Sequence, residues 1–157
     1  MNYKFLPLLL LGFLSTGTKA DTPGGYKIKV TITGLKDSVC YLANYYGDKQ
    51  YLQDTAKVNP KGEFTFENPN KTLEKGMYIV VGSGKVRFFD FIINKEQNFS
   101  MKTNYNSMDS SMVFTGSDEN TLFYKYIDFL REQRRIVEPL QKAYKAAADK
   151  SPERKAI

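Results

Sequence analysis

From Tyr26 to Thr33 apolar and polar residues alternate without a break. Tyr26, Ile28, Val30 and Ile32 fall on one side, and Lys27, Lys29, Thr31 and Thr33 on the other. A period of two marks a half-buried strand. One wet face means that the other must cover a core. The pattern recurs down the chain, each time closed by turn residues. Val39–Tyr46 reads as a second strand and Gly47-Asp48-Lys49 as its turn. Tyr51–Val58 is a third, weaker one. It ends at Asn59-Pro60-Lys61-Gly62, where Pro fixes φ and Gly accepts positive φ. Glu63–Glu67, Gly76–Val81, Val86–Ile93, Asn98–Thr103 and Met112–Thr115 complete the series. Val86–Ile93 is the most apolar of them and is expected at the centre of a sheet. Short strands at regular spacing predict a mainly β fold, an antiparallel β-sandwich or partly open barrel of about eight strands over residues 26–116.

The period then changes. Ser117 is placed to cap a helix, with Asp118 and Glu119 in the first turn, where acids suit the helix dipole. Leu122, Tyr126, Phe129, Leu130, Val137, Leu140 and Tyr144 recur at three- and four-residue steps. That stripe must be buried on the sandwich or on a neighbour. Pro139 is expected to kink or break the helix near Ile136 to Glu138. Residues 117–157 therefore form a C-terminal helical segment, a candidate linker to a further domain.

The start of the chain reads as a secretory signal peptide. Lys4 is the basic end, Phe5–Phe13 the apolar run, and a cut is expected after Ala20. The run is too short to cross a bilayer of about 30 Å. Asp21 rather than Cys follows the cut, so a lipid anchor by that route is not expected. Residues 21–25 make a flexible lead. The protein is thus expected in the periplasm or outside the cell, with no stable membrane insertion after cleavage. Cleavage removes Lys4 and Lys19, which takes the net charge from +6 to +4. So mild a charge, without a basic stripe, points away from a nucleic-acid partner.

The composition removes whole classes of chemistry. There is no His, so Ser-His-Asp and Cys-His catalysis and His-based metal sites are absent. The single Cys, Cys40, allows no intrachain disulfide and no C-x-x-C pair. Gly82-Ser83-Gly84 lacks the remainder of a phosphate-binding loop. No cofactor and no catalytic activity are expected.

Six residues stand out as candidates for interaction. Cys40, flanked by Val39 and Tyr41, is either a small packed hydrophobe or an exposed thiol able to form a mixed disulfide. Asp90 lies between Phe89 and Phe91. If buried, it needs Arg87 or a lysine beside it; otherwise it faces solvent or lies at an edge. Tyr41, Tyr45, Tyr46 and Tyr51 cluster early. They either line a surface for a carbohydrate or small ligand or reflect ordinary strand preference. The mixed charges of the helix, Arg131, Arg134, Arg135, Lys142 and Lys145 among Asp128, Glu132 and Glu138, read as a solvated face.

Several segments together resemble a known family. They are Tyr26–Leu35, Val39-Cys40-Tyr41-Leu42, Asp54–Asn59, Gly62–Phe66, Phe89–Asn94, and Phe114-Thr115-Gly116-Ser117 with Asn120 three residues on. The chain resembles the β-rich N-terminal domain of unknown function that opens secreted thioredoxin-like and peroxiredoxin-like proteins of Bacteroidota. The resemblance spans about residues 26–130. It implies an association with thiol–disulfide chemistry and, as partner, a thioredoxin-like domain or periplasmic protein. It carries over no functional residue, because the redox residues of those proteins have no counterpart here.

Overall fold

A computed structural model describes residues 24–147 and Lys155. The expected signal peptide, most of the lead and nearly all of the tail beyond residue 147 lie outside the described residues. Eight strands are followed by one long helix. The strands are β1 Tyr26–Thr33, β2 Val39–Tyr46, β3 Lys49–Lys57, β4 Glu63–Asn68, β5 Gly76–Gly82, β6 Arg87–Ile93, β7 Asn98–Asn104 and β8 Val113–Thr115; the helix is α1 Asp118–Ala146. They form two four-stranded sheets, β4-β1-β7-β8 and β3-β2-β5-β6. The fold is mainly β, a sandwich not closed into a barrel.

The alternation expected for β1 holds. Tyr26, Ile28, Val30 and Ile32 are buried, and Lys27, Lys29 and Thr33 are exposed. Phe64 and Phe66 join them from β4, and Phe99 and Met101 from β7. Cys40, Leu42, Tyr78, Val80, Phe89, Phe91 and Ile93 face them from the second sheet. A run of aromatic contacts crosses this core. Tyr78 meets Phe91 at 5.9 Å, Phe91 meets Phe99 at 5.9 Å, Phe99 meets Phe114 at 6.4 Å, and Phe114 meets Tyr124 of the helix at 5.1 Å. Offset and edge contacts at these separations are the favoured ones for aromatic rings.

Two expectations about the sheets need correction. The sandwich is not wholly antiparallel, because β1 and β7 pair in parallel. Parallel neighbours need a long crossover, and here the crossover is the whole of β2 to β6. Nor is the apolar strand β6 central. It is the last strand of its sheet and pairs only with β5. Its hydrophobicity comes from Phe89, Phe91 and Ile93 facing the core, while Val86 stays outside the strand and is 55% exposed.

An open edge of this kind invites pairing with another chain. The root of α1 covers it. Ser117 caps the helix and accepts from the Asn120 N–H, as expected. One turn further on, the Asn120 side chain reaches the β6 edge. Its Oδ1 accepts from the Ile92 N–H at 2.7 Å, and its Nδ2 donates to the Ile92 carbonyl at 2.7 Å. The Tyr124 hydroxyl donates to the Asp90 carbonyl at 3.0 Å. Two helical side chains thus act as a short substitute strand.

Beyond this root the helix leaves the sandwich. Every residue from Arg131 to Ala146 is exposed. The break expected near Pro139 does not occur, and the helix runs through it to Ala146. Proline removes one N–H and crowds one carbonyl, and on a solvated stretch water can serve the carbonyl left over. The apolar stripe is not buried on the sandwich: Leu122, Phe129 and Leu140 are 69%, 57% and 50% exposed.

Candidate functional site

The four candidate tyrosines do not form one surface. Successive side chains of a strand point to opposite faces, and β2 divides them. Tyr41 and Tyr45 share a face with Ala43; Tyr46 lies on the other with Asn44. Tyr51, cross-strand from Asn44, joins Tyr46.

On the Tyr45 face, Ala43 sits across from Ile79 and Ile79 across from Asp90. The Tyr45 hydroxyl donates to Asp90 Oδ1 at 3.3 Å. Arg87 pairs with Asp90 Oδ2, and its guanidinium lies 5.7 Å from the centre of the Tyr45 ring. Asp90 therefore has both properties weighed in the sequence: it lies on an edge strand and has Arg87 beside it. Its side chain is 22% exposed and that of Arg87 59%. Burial, and then the Asp90 charge, raise the Tyr45 hydroxyl above the ordinary tyrosine value. The Asp90–Arg87 hydrogen bond likewise holds the guanidinium firmly protonated. The group is a surface clamp between β2 and β6. With one side largely wet, its ion pair is worth no more than about 1 kcal/mol.

Cys40 lies in the inter-sheet core, across from Ala56, with no exposed surface. Burial, assisted by Asp37, pushes its thiol up to about 12. A thiol held neutral and out of reach packs as a small hydrophobe, and nucleophilic attack requires the opposite on both counts.

The opposite face of the β2–β3 hairpin carries an arrangement suited to a ligand. Tyr46 and Tyr51 meet edge to face at 6.4 Å and stand beside Asn44 and Gln53 in a shallow, open groove. Tyr46 is 77% exposed and Tyr51 47%. The groove continues into a hollow lined by Asn44, Gln53, Lys71, Glu74 and Tyr78. Its polar groups are held in a row: Gln53 Nε2 donates to Asn44 Oδ1 at 3.0 Å, and Lys71 Nζ donates to Gln53 Oε1 at 3.1 Å. The Tyr78 hydroxyl donates to the Glu74 carbonyl at 2.9 Å. Flat aromatic surface beside fixed amides suits a flat polar ligand. The alternation of β2 and β3 would have picked out Asn44 and Gln53 beside Tyr46 and Tyr51. Lys71 and Glu74 carried no such signal, because the β4–β5 connection brings them in.

Among the described residues no group of three or more His, Cys, Asp or Glu side chains is placed to hold a metal. No described helix is long and apolar enough to cross a membrane.

Residues 26–123, well over half of the chain, match the family described as Domain of unknown function (DUF4369). The chain belongs to the DUF4369 family. No curated protein matches it. The DUF4369 match begins with the first residue of β1 and ends at Phe123. It therefore takes in the whole sandwich, Ser117 and the Asn120 latch, and leaves out the projecting turns of α1.

Proposed function

We propose that this DUF4369 chain is a non-catalytic accessory module of the cell envelope, which holds a thioredoxin-like module at a fixed distance and direction. The observation that carries this reading is the mounting of α1. Its root is fastened to the β6 edge by Asn120 and Tyr124, and Arg131–Ala146 then runs clear of the sandwich. Sixteen helical residues at 1.5 Å each make an arm of about 24 Å. An arm anchored at one end transmits position, whereas a loosely attached linker does not. The export signal and the resemblance to the front domain of secreted thioredoxin-like proteins supply the compartment and the partner class. Both rest on sequence analogy.

The test is the intact mass and peptide map of the protein as its native host makes it. Cleavage after Ala20, together with a C-x-x-C module either in the same chain or co-purifying with it, supports the reading. A protein retained in the cytoplasm, or one with no such module in its chain or complex, overturns it.

A second reading rests on the Tyr46–Tyr51 groove, which would make the chain a carbohydrate- or small-ligand-binding β module. Thermal shifts against a panel of envelope glycans test it. A shift that disappears in Tyr51→Ala supports it, and a flat panel removes it.

A further inference from the structure

We infer that the groove beside Tyr46 and Tyr51 takes a uronate oligosaccharide, a sugar chain that carries carboxylates; this rests on the reading of that groove as a ligand site. The polar row selects the charge. A lysine ammonium can only donate, so the Gln53 atom that meets Lys71 Nζ at 3.1 Å is the side-chain oxygen. The Gln53 nitrogen is thereby turned to Asn44, and it donates to Asn44 Oδ1 at 3.0 Å. Lys71 thus fixes both amides, and their oxygens are engaged along the row. What the row still offers is N–H: the rest of the ammonium, the second hydrogen of Gln53 Nε2 and both of Asn44 Nδ2. A hydroxyl brings a donor of its own to such a row. A carboxylate brings acceptors only, and its bonds to an ammonium are charge-assisted.

The cation is available, and the wall that carries it is held in place. Among the described residues Lys71 takes part in no ion pair, and its one hydrogen bond is to Gln53. Glu74 lines the same hollow without pairing with it, and offers its own carboxylate to the hydroxyls of a sugar. Between the two, Leu73 is buried. Gln97 holds both backbone groups of Leu73, accepting from its N–H at 2.9 Å and donating to its carbonyl at 3.1 Å. The Tyr78 hydroxyl holds the Glu74 carbonyl. Lys71 and Glu74 therefore stand on a fixed segment, which a ligand need not order first.

The aromatic end defines the rest of the ligand. Tyr46 and Tyr51 share their groove with the same Asn44 and Gln53 that lead to Lys71. A ligand that meets the rings and the ammonium at once needs an apolar ring face and a carboxylate, joined by hydrogen-bonding groups. A pyranuronate unit has all three, and an open groove admits such units in a chain.

The test is titration calorimetry on the full-length protein with trimers of galacturonate, glucuronate and mannuronate. Each is run beside its methyl ester, which keeps the sugar and removes the charge. At least one acid is expected to bind, and its ester more than about tenfold more weakly. Lys71 is exposed, so Lys71→Met should keep the wild-type Tm. It should bring the acid down to the level of the ester and leave the ester unmoved. Rising salt should weaken the acid alone, and Tyr51→Ala should remove both. An ester bound as well as its acid, an acid indifferent to Lys71→Met, or a neutral glycan bound in preference overturns the acidic ligand and leaves the groove a ligand site. Acid binding that survives Tyr51→Ala places the ligand elsewhere and overturns it too. No binding by any acid, ester or neutral glycan overturns both the acidic ligand and the ligand site.

Discussion

The side-chain amide of Asn120 is bonded to both backbone groups of Ile92, accepting from its N–H and donating to its carbonyl, each at 2.7 Å. Asn120 Nδ2 also donates to the Ser117 hydroxyl at 2.9 Å. The residue is almost wholly buried, and its amide satisfies a strand edge that would otherwise lie under the helix unpaired. Asn120→Ala leaves one buried N–H and one buried carbonyl without partners, a loss of about 2–4 kcal/mol. Urea unfolding should show the loss, and hydrogen exchange should show the Ile92 amide opening with it. Asn120→Asp should be no better, because a carboxylate cannot donate to the Ile92 carbonyl. A variant as stable as wild type would mean that the latch is decorative.

Much of this architecture is legible in the chain. Period-two alternation and turn residues locate all eight strands to within about two residues, and Ser117 with its two acids locates the start of the helix. What sits beside what is less legible. The apolar run of β6 reads as central because composition records that a strand is buried and not what buries it. Its edge is covered by a residue 28 positions further along the chain. The tyrosine cluster misleads for a related reason: neighbours in sequence lie on opposite faces of β2. The helical stripe was legible as apolar, but its spacing does not reveal that the helix leaves the sandwich.

Gly62 has φ +78°, and a Cβ there would overlap the Ile32 carbonyl oxygen. The same glycine accepts from the Ile32 N–H at 2.9 Å, so the backbone has no room to retreat. Asn59 Oδ1 fixes the loop further by accepting from the Lys61 and Glu63 N–H groups. Gly62→Ala therefore combines a left-handed backbone penalty of about 1–2 kcal/mol with a steric one. A total loss above about 3 kcal/mol is expected. A Tm within a few degrees of wild type would show that the β3–β4 turn can reshape freely.

Lys85 gives the opposite sign. It is the one described non-glycine residue with positive φ, at +59°. It closes the β5–β6 hairpin, where Gly82 N–H donates to the Val86 carbonyl at 2.8 Å. A side chain in this conformation costs about 1–2 kcal/mol, and glycine returns part of that gain through the entropy of the unfolded chain. Lys85→Gly should stabilise the protein by about 0.5–1 kcal/mol. Chemical denaturation with an unchanged m-value checks this, and a destabilised variant would assign Lys85 a contact that outweighs its backbone strain.

The buried thiol sets the alkaline limit. Cys40 is raised from an ordinary value of 9.0 to about 12, chiefly by burial. Burial likewise raises Tyr26 and Tyr124, Tyr26 with help from its hydrogen bond to Asp54. For such acids the folded state keeps its proton after the unfolded state has lost it. Stability is then fully present below the unfolded value and falls as pH rises. The loss should begin near pH 9 with Cys40 and steepen above about pH 10, where unfolded tyrosines ionise. With no histidine in the chain, stability between pH 6 and 8 should change little. Cys40→Ala should be less stable at pH 7, because it leaves a small cavity, yet flatter between pH 9 and 10. An equal slope in the variant would take Cys40 out of the explanation. Native Cys40 should also react slowly with a thiol reagent at pH 8, and fast labelling without unfolding would place the thiol somewhere other than the core.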